Sequence, residues 1–154
     1  MRFASICRAA LLFGLVLAGF ASAAQAVAPV NETFFGVAIH GYDPVAYFDE
    51  GAPREGSKEH VFEWRGATWR FVSAEHRERF RADPESFAPQ YGGYCAYAVS
   101  QGATANGDPE LWAIVDGKLY LNLNPAIQER WDEDRPGYIQ KGDRLWPGLV
   151  DPGF

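Results

Sequence analysis

The sequence predicts an α+β fold, a small antiparallel sheet of two hairpins carrying short helices, and three observations predict it. Two runs of bulky β-formers, residues 61–72 and 111–121, fold back about the dipeptides Arg65-Gly66 and Asp116-Gly117. Asp-Gly is a strong two-residue turn signal, because both central positions tolerate positive φ. A helix-capping residue follows each run, and no linker, charge block or low-complexity stretch divides residues 27–154, which reads as one domain.

The elements follow in order. Ser73 is a good N-cap for a helix reaching about Ala82, and Asn124-Pro125 is a good N-cap and first-turn pair for a helix reaching Trp131. Setting Gly66 on Gly117 aligns Trp69 with Tyr120, Ser73 with Asn124, Phe80 with Trp131 and Asp83 with Asp134. A hairpin-then-helix unit is thus used twice, by duplication or by convergence on one packing solution. Asp43-Pro44 and Asp83-Pro84 read as starts of short helices, and residues 137–146 carry a weaker helix pattern. Gly92-Gly93 marks a tight turn or a close backbone approach.

Residues 1–26 read as an export signal. Arg2 and Arg8 precede an apolar run over residues 9–20, and small-x-small cleavage sites follow at Ala21-Ser22-Ala23 and Ala24-Gln25-Ala26. The run is shorter than the roughly 20 residues a membrane span needs. The expectation is a soluble periplasmic or secreted protein with no integral membrane segment after cleavage. The full chain of 154 residues carries 14 Lys and Arg against 20 Asp and Glu, a net charge of −6. Removing Arg2 and Arg8 with the leader makes it −8, which disfavours a nucleic-acid partner bound through phosphate charge. Cys7 leaves with the leader, so Cys95 remains as a single thiol. An internal disulfide or a dithiol mechanism is then excluded. Burial as a small hydrophobe and use as a metal ligand or reactive thiol both remain open for Cys95.

From Gly41-Tyr42-Asp43-Pro44-Val45-Ala46-Tyr47-Phe48 onward the chain resembles the YHS-domain family. The match runs through Trp64, Gly66, Trp69, Phe71 and Ser73, then Phe80, Asp83-Pro84 and Phe87, to Tyr91-Gly92-Gly93-Tyr94-Cys95-Ala96. The second half, with Ile114-Val115-Asp116-Gly117-Lys118-Leu119-Tyr120-Leu121-Asn122, resembles an exported bacterial subgroup, some members of which are labelled (seleno)protein. The resemblance covers about residues 36–149. It implies a small α+β module related to cysteine-rich metal-binding modules, with a metal-handling or redox protein as partner. This chain departs from metal-binding members that begin Asp-Pro-Val-Cys: Ala46 stands at that cysteine, and no cysteine stands directly after Phe71. Their ligand assignments therefore do not transfer.

Cys95 with His76 and His60 in support is the candidate donor set, because thiolate and imidazole together suit copper, zinc or iron. None of the three histidines, His40, His60 and His76, has a metal-ligand spacing. His76 falls near the third helical position and shares a face with Phe80, so it points partly inward, and the helix start favours a neutral, coordinating ring. His60 reads as a surface residue at the opening of the first hairpin. Tyr91, Tyr94, Tyr97 and Trp69 are candidate pocket-lining residues, although core packing uses the same residue types, and Trp64, Trp112 and Trp131 read as packing. Asp43 reads as a cap rather than a base, and the Arg77, Arg79, Arg81 run as a solvated helix face. Ser73 and Ser100 lack a nucleophile elbow, and no phosphate loop is present. The leading expectation is an exported protein that binds a transition metal or metal complex without turnover of its own. The alternatives are a single-cysteine redox enzyme or sensor using Cys95, and a metal-free interaction module.

Overall fold

Glycine at the second turn position and a residue held at positive φ before it let both hairpins close in two residues. In the computed structural model, which describes residues 26–151, Arg65 and Gly66 have φ of 50° and 79°, and Asp116 and Gly117 have 51° and 74°. Residues 1–25 of the expected leader, Cys7 among them, lie outside the described residues. The first hairpin pairs β1 (Ser57–Trp64) with β2 (Ala67–Phe71), and the second pairs β3 (Asp108–Val115) with β4 (Lys118–Asn122). Both are antiparallel, and they form two separate sheets rather than one. Other chain occupies the edges along which they could have joined: Val37 bridges Thr68 of β2, and Cys95 bridges Leu121 of β4. The α+β class holds.

Helices follow the caps. The Ser73 hydroxyl accepts from His76 N at 3.2 Å and starts α2 (Ala74–Ala82), after α1 (Ala46–Asp49). Then come α3 (Pro84–Phe87) and α4 (Ala96–Ser100). Asn124 Oδ1 accepts from Ile127 N at 2.9 Å and starts α5 (Pro125–Asp132). Asp134 Oδ1 accepts from Gly137 N at 3.0 Å in the first turn of α6 (Arg135–Leu145). The weak helix pattern over residues 137–146 is therefore a helix that begins two residues earlier.

The two hairpin-helix units repeat each other at an offset of 51 residues. Ser57 pairs with Phe71 and Val61 with Arg70, across a bulge; Asp108 pairs with Asn122 and Trp112 with Leu121, across the same bulge. Trp69 packs on Phe80 of α2 at 5.0 Å between ring centroids, and Tyr120 on Trp131 of α5 at 5.5 Å. One apolar cluster centres on Trp69, Phe71, Phe80, Tyr47 and Ile39 and also takes Leu119 and Leu121 from β4. A second holds Tyr91, Val99, Tyr120 and Trp131, with Tyr94, Tyr97, Tyr138 and Trp146 packed against it. Trp69 and Trp131 are fully buried, whereas Trp64 and Trp112 cover the first cluster from outside. Among the described residues no helix is long and apolar enough to cross a membrane.

Candidate functional site

Ahead of each hairpin the chain makes the same left-handed turn, and each turn delivers one chemically distinctive side chain into the interior. Ile39, His40 and Gly41 have φ of 38°, 56° and 85°; Tyr91, Gly92 and Gly93 have 55°, 61° and 86°. Tyr42 N then donates to Ile39 O at 3.1 Å, and Tyr94 N to Tyr91 O at 3.0 Å. The next amide donates at 2.8 Å in both units, from Asp43 N to Arg54 O and from Cys95 N to Ala105 O. Asp43 and Cys95 are thus counterparts, and both are fully buried.

The Asp43 carboxylate ties three elements together. Oδ1 accepts from Val45 N at 2.8 Å as the chain enters α1, and Oδ2 accepts from Val72 N at 2.8 Å, just past β2. Oδ2 also meets His76 Nδ1 of α2 at 2.7 Å. A buried carboxylate needs such a shell, since an unpaired buried charge is costly. Asp43 bonds the turn ahead of α1 rather than capping the helix, whose N-cap position is Val45 and has no side-chain bond, and it also orients a histidine 33 positions away in sequence. His76 lies third in α2 and faces partly inward, with its side chain 12% exposed. Its Nε2 faces Asp49 Oδ2 of α1 at 3.7 Å. Arg79 completes the edge by pairing with Asp49 while its guanidinium lies 5.3 Å from the Phe87 ring centre. The hydrogen bond to Asp49 pushes the Arg79 pKa up, so its charge is held firmly there. Arg79 is accordingly a specific partner, whereas Arg77 and Arg81 pair with Glu78 on the solvated face.

Cys95 has a different neighbourhood. It stands at the N-cap of α4, and its Sγ donates to Asn122 Oδ1 at 3.7 Å. Tyr97 N donates to the same oxygen at 3.3 Å. Asn122 is fully buried, and its Nδ2 has no hydrogen-bond partner among the described residues. His60 lies in the bulge of β1, half-buried on the side of Phe62 and Trp64. His40 is exposed and lines an open cleft of about 360 Å³ with Tyr42, Asn106, Gly107, Asp108 and Leu123.

The structure therefore brings His76 to Asp43 and Asp49, and Cys95 to Asn122, in two separate hydrogen-bonded groups. Cys95, His76 and His60 are not gathered as one donor set: among the described residues no three His, Cys, Asp or Glu side chains form a group able to hold a metal ion. Sequence reading missed Asp49, Arg79 and Asn122 as members of these groups. A usable signal was the repeated Gly-Tyr of Gly41-Tyr42-Asp43 and Gly93-Tyr94-Cys95.

Of the proposed pocket residues, Trp69 and Tyr91 line a second open cleft of about 350 Å³, together with Trp64, Arg65 and Lys118. Tyr94 instead packs on Trp146 and Tyr97 on Tyr138. Burial raises the Tyr91 and Tyr94 phenol pKa values, and at Tyr91 a hydrogen bond to Asp143 at 2.9 Å adds to the effect. These phenols are neutral packing groups at ordinary pH. No protein-family model, curated protein or solved structure matches the chain.

Proposed function

We propose that this chain is an exported, YHS-like binding module that takes up a transition-metal ion of the zinc or copper class without turning over a substrate of its own. The His76 ring carries the reading. Its Nδ1 is fixed by the buried Asp43 carboxylate at 2.7 Å, which leaves Nε2 as the outward donor, 3.7 Å from Asp49 Oδ2. Metal-ligating histidines characteristically hold their second ring nitrogen on a carboxylate in this way. Two ligands each about 2.0–2.2 Å from zinc lie roughly 3.3–3.6 Å apart at a tetrahedral angle, so Nε2 and Asp49 need only a small adjustment to share an ion.

The fit is to an open site with two protein donors, His76 and Asp49. Arg79 already neutralises Asp49 and must yield to an incoming cation. An open site that competes with a guanidinium suits exchangeable binding more than a permanent structural metal. Cys95 belongs to a separate group and is left out of this donor set.

Equilibrium dialysis of the purified protein against zinc and copper(II), with bound metal quantified, tests the reading. Wild type binds near one equivalent, His76→Ala loses binding, and Cys95→Ser keeps it. Arg79→Ala binds about two- to fivefold more tightly, because an exposed ion pair contributes up to about 1 kcal/mol and each 1.4 kcal/mol is tenfold. No stoichiometric binding to wild type would end this reading. Loss of binding in Cys95→Ser but not in His76→Ala would return the site to the thiol.

A further inference from the structure

The position of Cys95 is built like a position that holds an anion. At its counterpart, Asp43, three N–H groups converge on a carboxylate: Val45 N, Val72 N and His76 Nδ1, at 2.8, 2.8 and 2.7 Å. The backbone around Cys95 repeats that framework, including the amide bond to Ala105 O that matches Asp43 N to Arg54 O. Tyr97 N corresponds to Val45 N, two residues beyond the central side chain. A thiol offers it no good acceptor, and it reaches instead to Asn122 Oδ1 at 3.3 Å.

Asn122 supplies the second observation. It replaces Phe71 of the first unit at the same register position, facing Asp108 as Phe71 faces Ser57. A polar side chain thus stands where the other unit has a core aromatic. It is fully buried, its Oδ1 lies 3.7 Å from the Cys95 sulfur, and its Nδ2 has no acceptor among the described residues. A buried donor left without a partner is costly, so its retention calls for a reason. Exchanging the two ends of the carboxamide sets Nδ2 against the Tyr97 N–H, donor against donor, and orphans Tyr97 instead. Beside a thiol the Tyr97 N–H and the carboxamide N–H compete for acceptors, whereas an anion with two oxygens gives each of them one once the carboxamide has turned.

We propose that Cys95 is an oxidation site whose product, cysteine sulfinate, fills this niche as the counterpart of the Asp43 carboxylate. A sulfinate carries one negative charge over two oxygens on the atom attached to Cβ, as the aspartate side chain does. Tyr97 N–H releases Asn122 Oδ1 and donates to one oxygen, and the carboxamide turns so that Nδ2, in place of Oδ1, faces the sulfur and donates to the other. The oxidant is hydrogen peroxide. In the first step the thiolate sulfur attacks a peroxide oxygen, the O–O bond breaks, and sulfenate and water form. In the second step the sulfenate sulfur attacks another peroxide, giving sulfinate and a second water. Sulfur loses two electrons in each step, and each peroxide gains two. The sulfur has no exposed surface, so reaction follows local opening. The segment that must lift is Ala105 to Gly107: Ala105 O holds the Cys95 amide, and Asn106 and Gly107 line the open cleft beside His40 and Tyr42.

Intact mass and peptide mapping after hydrogen peroxide treatment test this. The folded protein gains about 32 Da, two oxygens, at Cys95 and stops, whereas the same chain in denaturant runs on to sulfonate at about 48 Da. Asn122→Leu, which removes the amide donor, abolishes the arrest at two oxygens. A chemical mimic gives an independent reading: Cys95→Asp folds with a melting temperature within a few degrees of Cys95→Ser, and combining it with Asn122→Leu removes that tolerance. Three results would overturn the proposal. One is a folded protein left unoxidised under conditions that oxidise the unfolded chain. Another is passage through two oxygens without arrest. The third is Cys95→Asp failing to fold where Cys95→Ser folds.

Discussion

Residues 39–82 and 91–132 build one backbone twice from largely different side chains, and the differences lie where the chemistry is. The turn, the bulged hairpin, the cap and the helix repeat. What changes is the buried side chain presented by the turn, Asp43 in one unit and Cys95 in the other, and its surroundings. The first unit answers a buried carboxyl group with His76 and two amides. The second answers a thiol with Asn122 and leaves a donor over. A backbone that shields a buried group from water can thus serve as an anion holder or a thiol holder, according to the donors the neighbouring strand and helix supply.

The largest expected effect comes from one atom added to the second turn. His40 and Gly92 occupy matching positions with φ of 56° and 61°. His40 points to solvent, so only backbone strain opposes a side chain there. A Cβ on Gly92 would lie 1.9 Å from Pro29 O and 3.0 Å from Val30 Cα, backbone atoms that cannot rotate away. Asn31 N also donates to Gly92 O at 2.9 Å, so moving the turn breaks that bond as well. Gly92→Ala therefore costs roughly 3–4 kcal/mol, overpacking and left-handed strain together, while His40→Gly stays within about 1 kcal/mol of wild type. Urea denaturation of both variants checks this. Comparable stability of the two would mean that the N-terminal segment is not pinned to the second turn.

Much of the fold was legible in the sequence because its signals are local. Asp116-Gly117, Ser73 and Asn124-Pro125 each act within four residues, and the elements they announce are present. The site was less legible for a reason of register. The hairpins repeat at 51 residues but the turns repeat at 52, because ten residues separate Cys95 from Ala105 where eleven separate Asp43 from Arg54. Aligning Gly66 with Gly117 therefore sets Pro44, not Asp43, against Cys95, and the equivalence is lost. The contact of His76 with Asp43 spans 33 positions and depends on how α2 packs, which no spacing rule carries. α4 is five residues long and lacks a side-chain cap, so it left no signal to read.

Alkaline pH separates the two cores by a smaller margin. In the second cluster Tyr91 and Tyr120 lie 5.9 Å apart; burial pushes the Tyr120 pKa up to about 12 and raises that of Tyr91 as well. In the first cluster Tyr47 is the fully buried phenol, raised chiefly by burial, with its hydroxyl on Pro109 O at 2.9 Å. A phenol with a raised folded-state pKa favours folding fully below its unfolded value of 10.0, and that contribution is lost as pH rises through the folded value. Stability should fall from about pH 10 upward, through the range of about 10–12 for Tyr120. Tyr120→Phe, alone or with Tyr91→Phe, raises the alkaline unfolding midpoint by roughly a few tenths of a pH unit, which tryptophan fluorescence across the titration would register. An unmoved midpoint would place the alkaline weakness outside the second core.

The smallest effect sits at the hairpin tips and depends on what compensates strain. Arg65 and Asp116 hold φ of 50° and 51° at matching turn positions. Asp tolerates that region through its short polar side chain, while a long side chain without such local bonding is less favourable there by roughly 1 kcal/mol. Arg65 has two contacts to set against the strain. Its guanidinium lies 4.5 Å from the Trp64 ring centre, worth about 0.5–1 kcal/mol at an exposed site, and it pairs with Glu85 at 3.0 Å, worth about 0–1 kcal/mol. Arg65→Asn removes strain and contacts together, so its net effect stays within about 0.5 kcal/mol of zero. The second tip has Val115 where the first has Trp64, so an arginine there finds no ring on the preceding residue. Asp116→Arg therefore meets the strain without the cation–π contact and destabilises by about 1 kcal/mol. Thermal melts of the two single variants measure the difference directly. Shifts equal in size and opposite in sign, Arg65→Asn stabilising as much as Asp116→Arg destabilises, would show that the Trp64 and Glu85 contacts contribute nothing at the first tip, and that its arginine is simply tolerated.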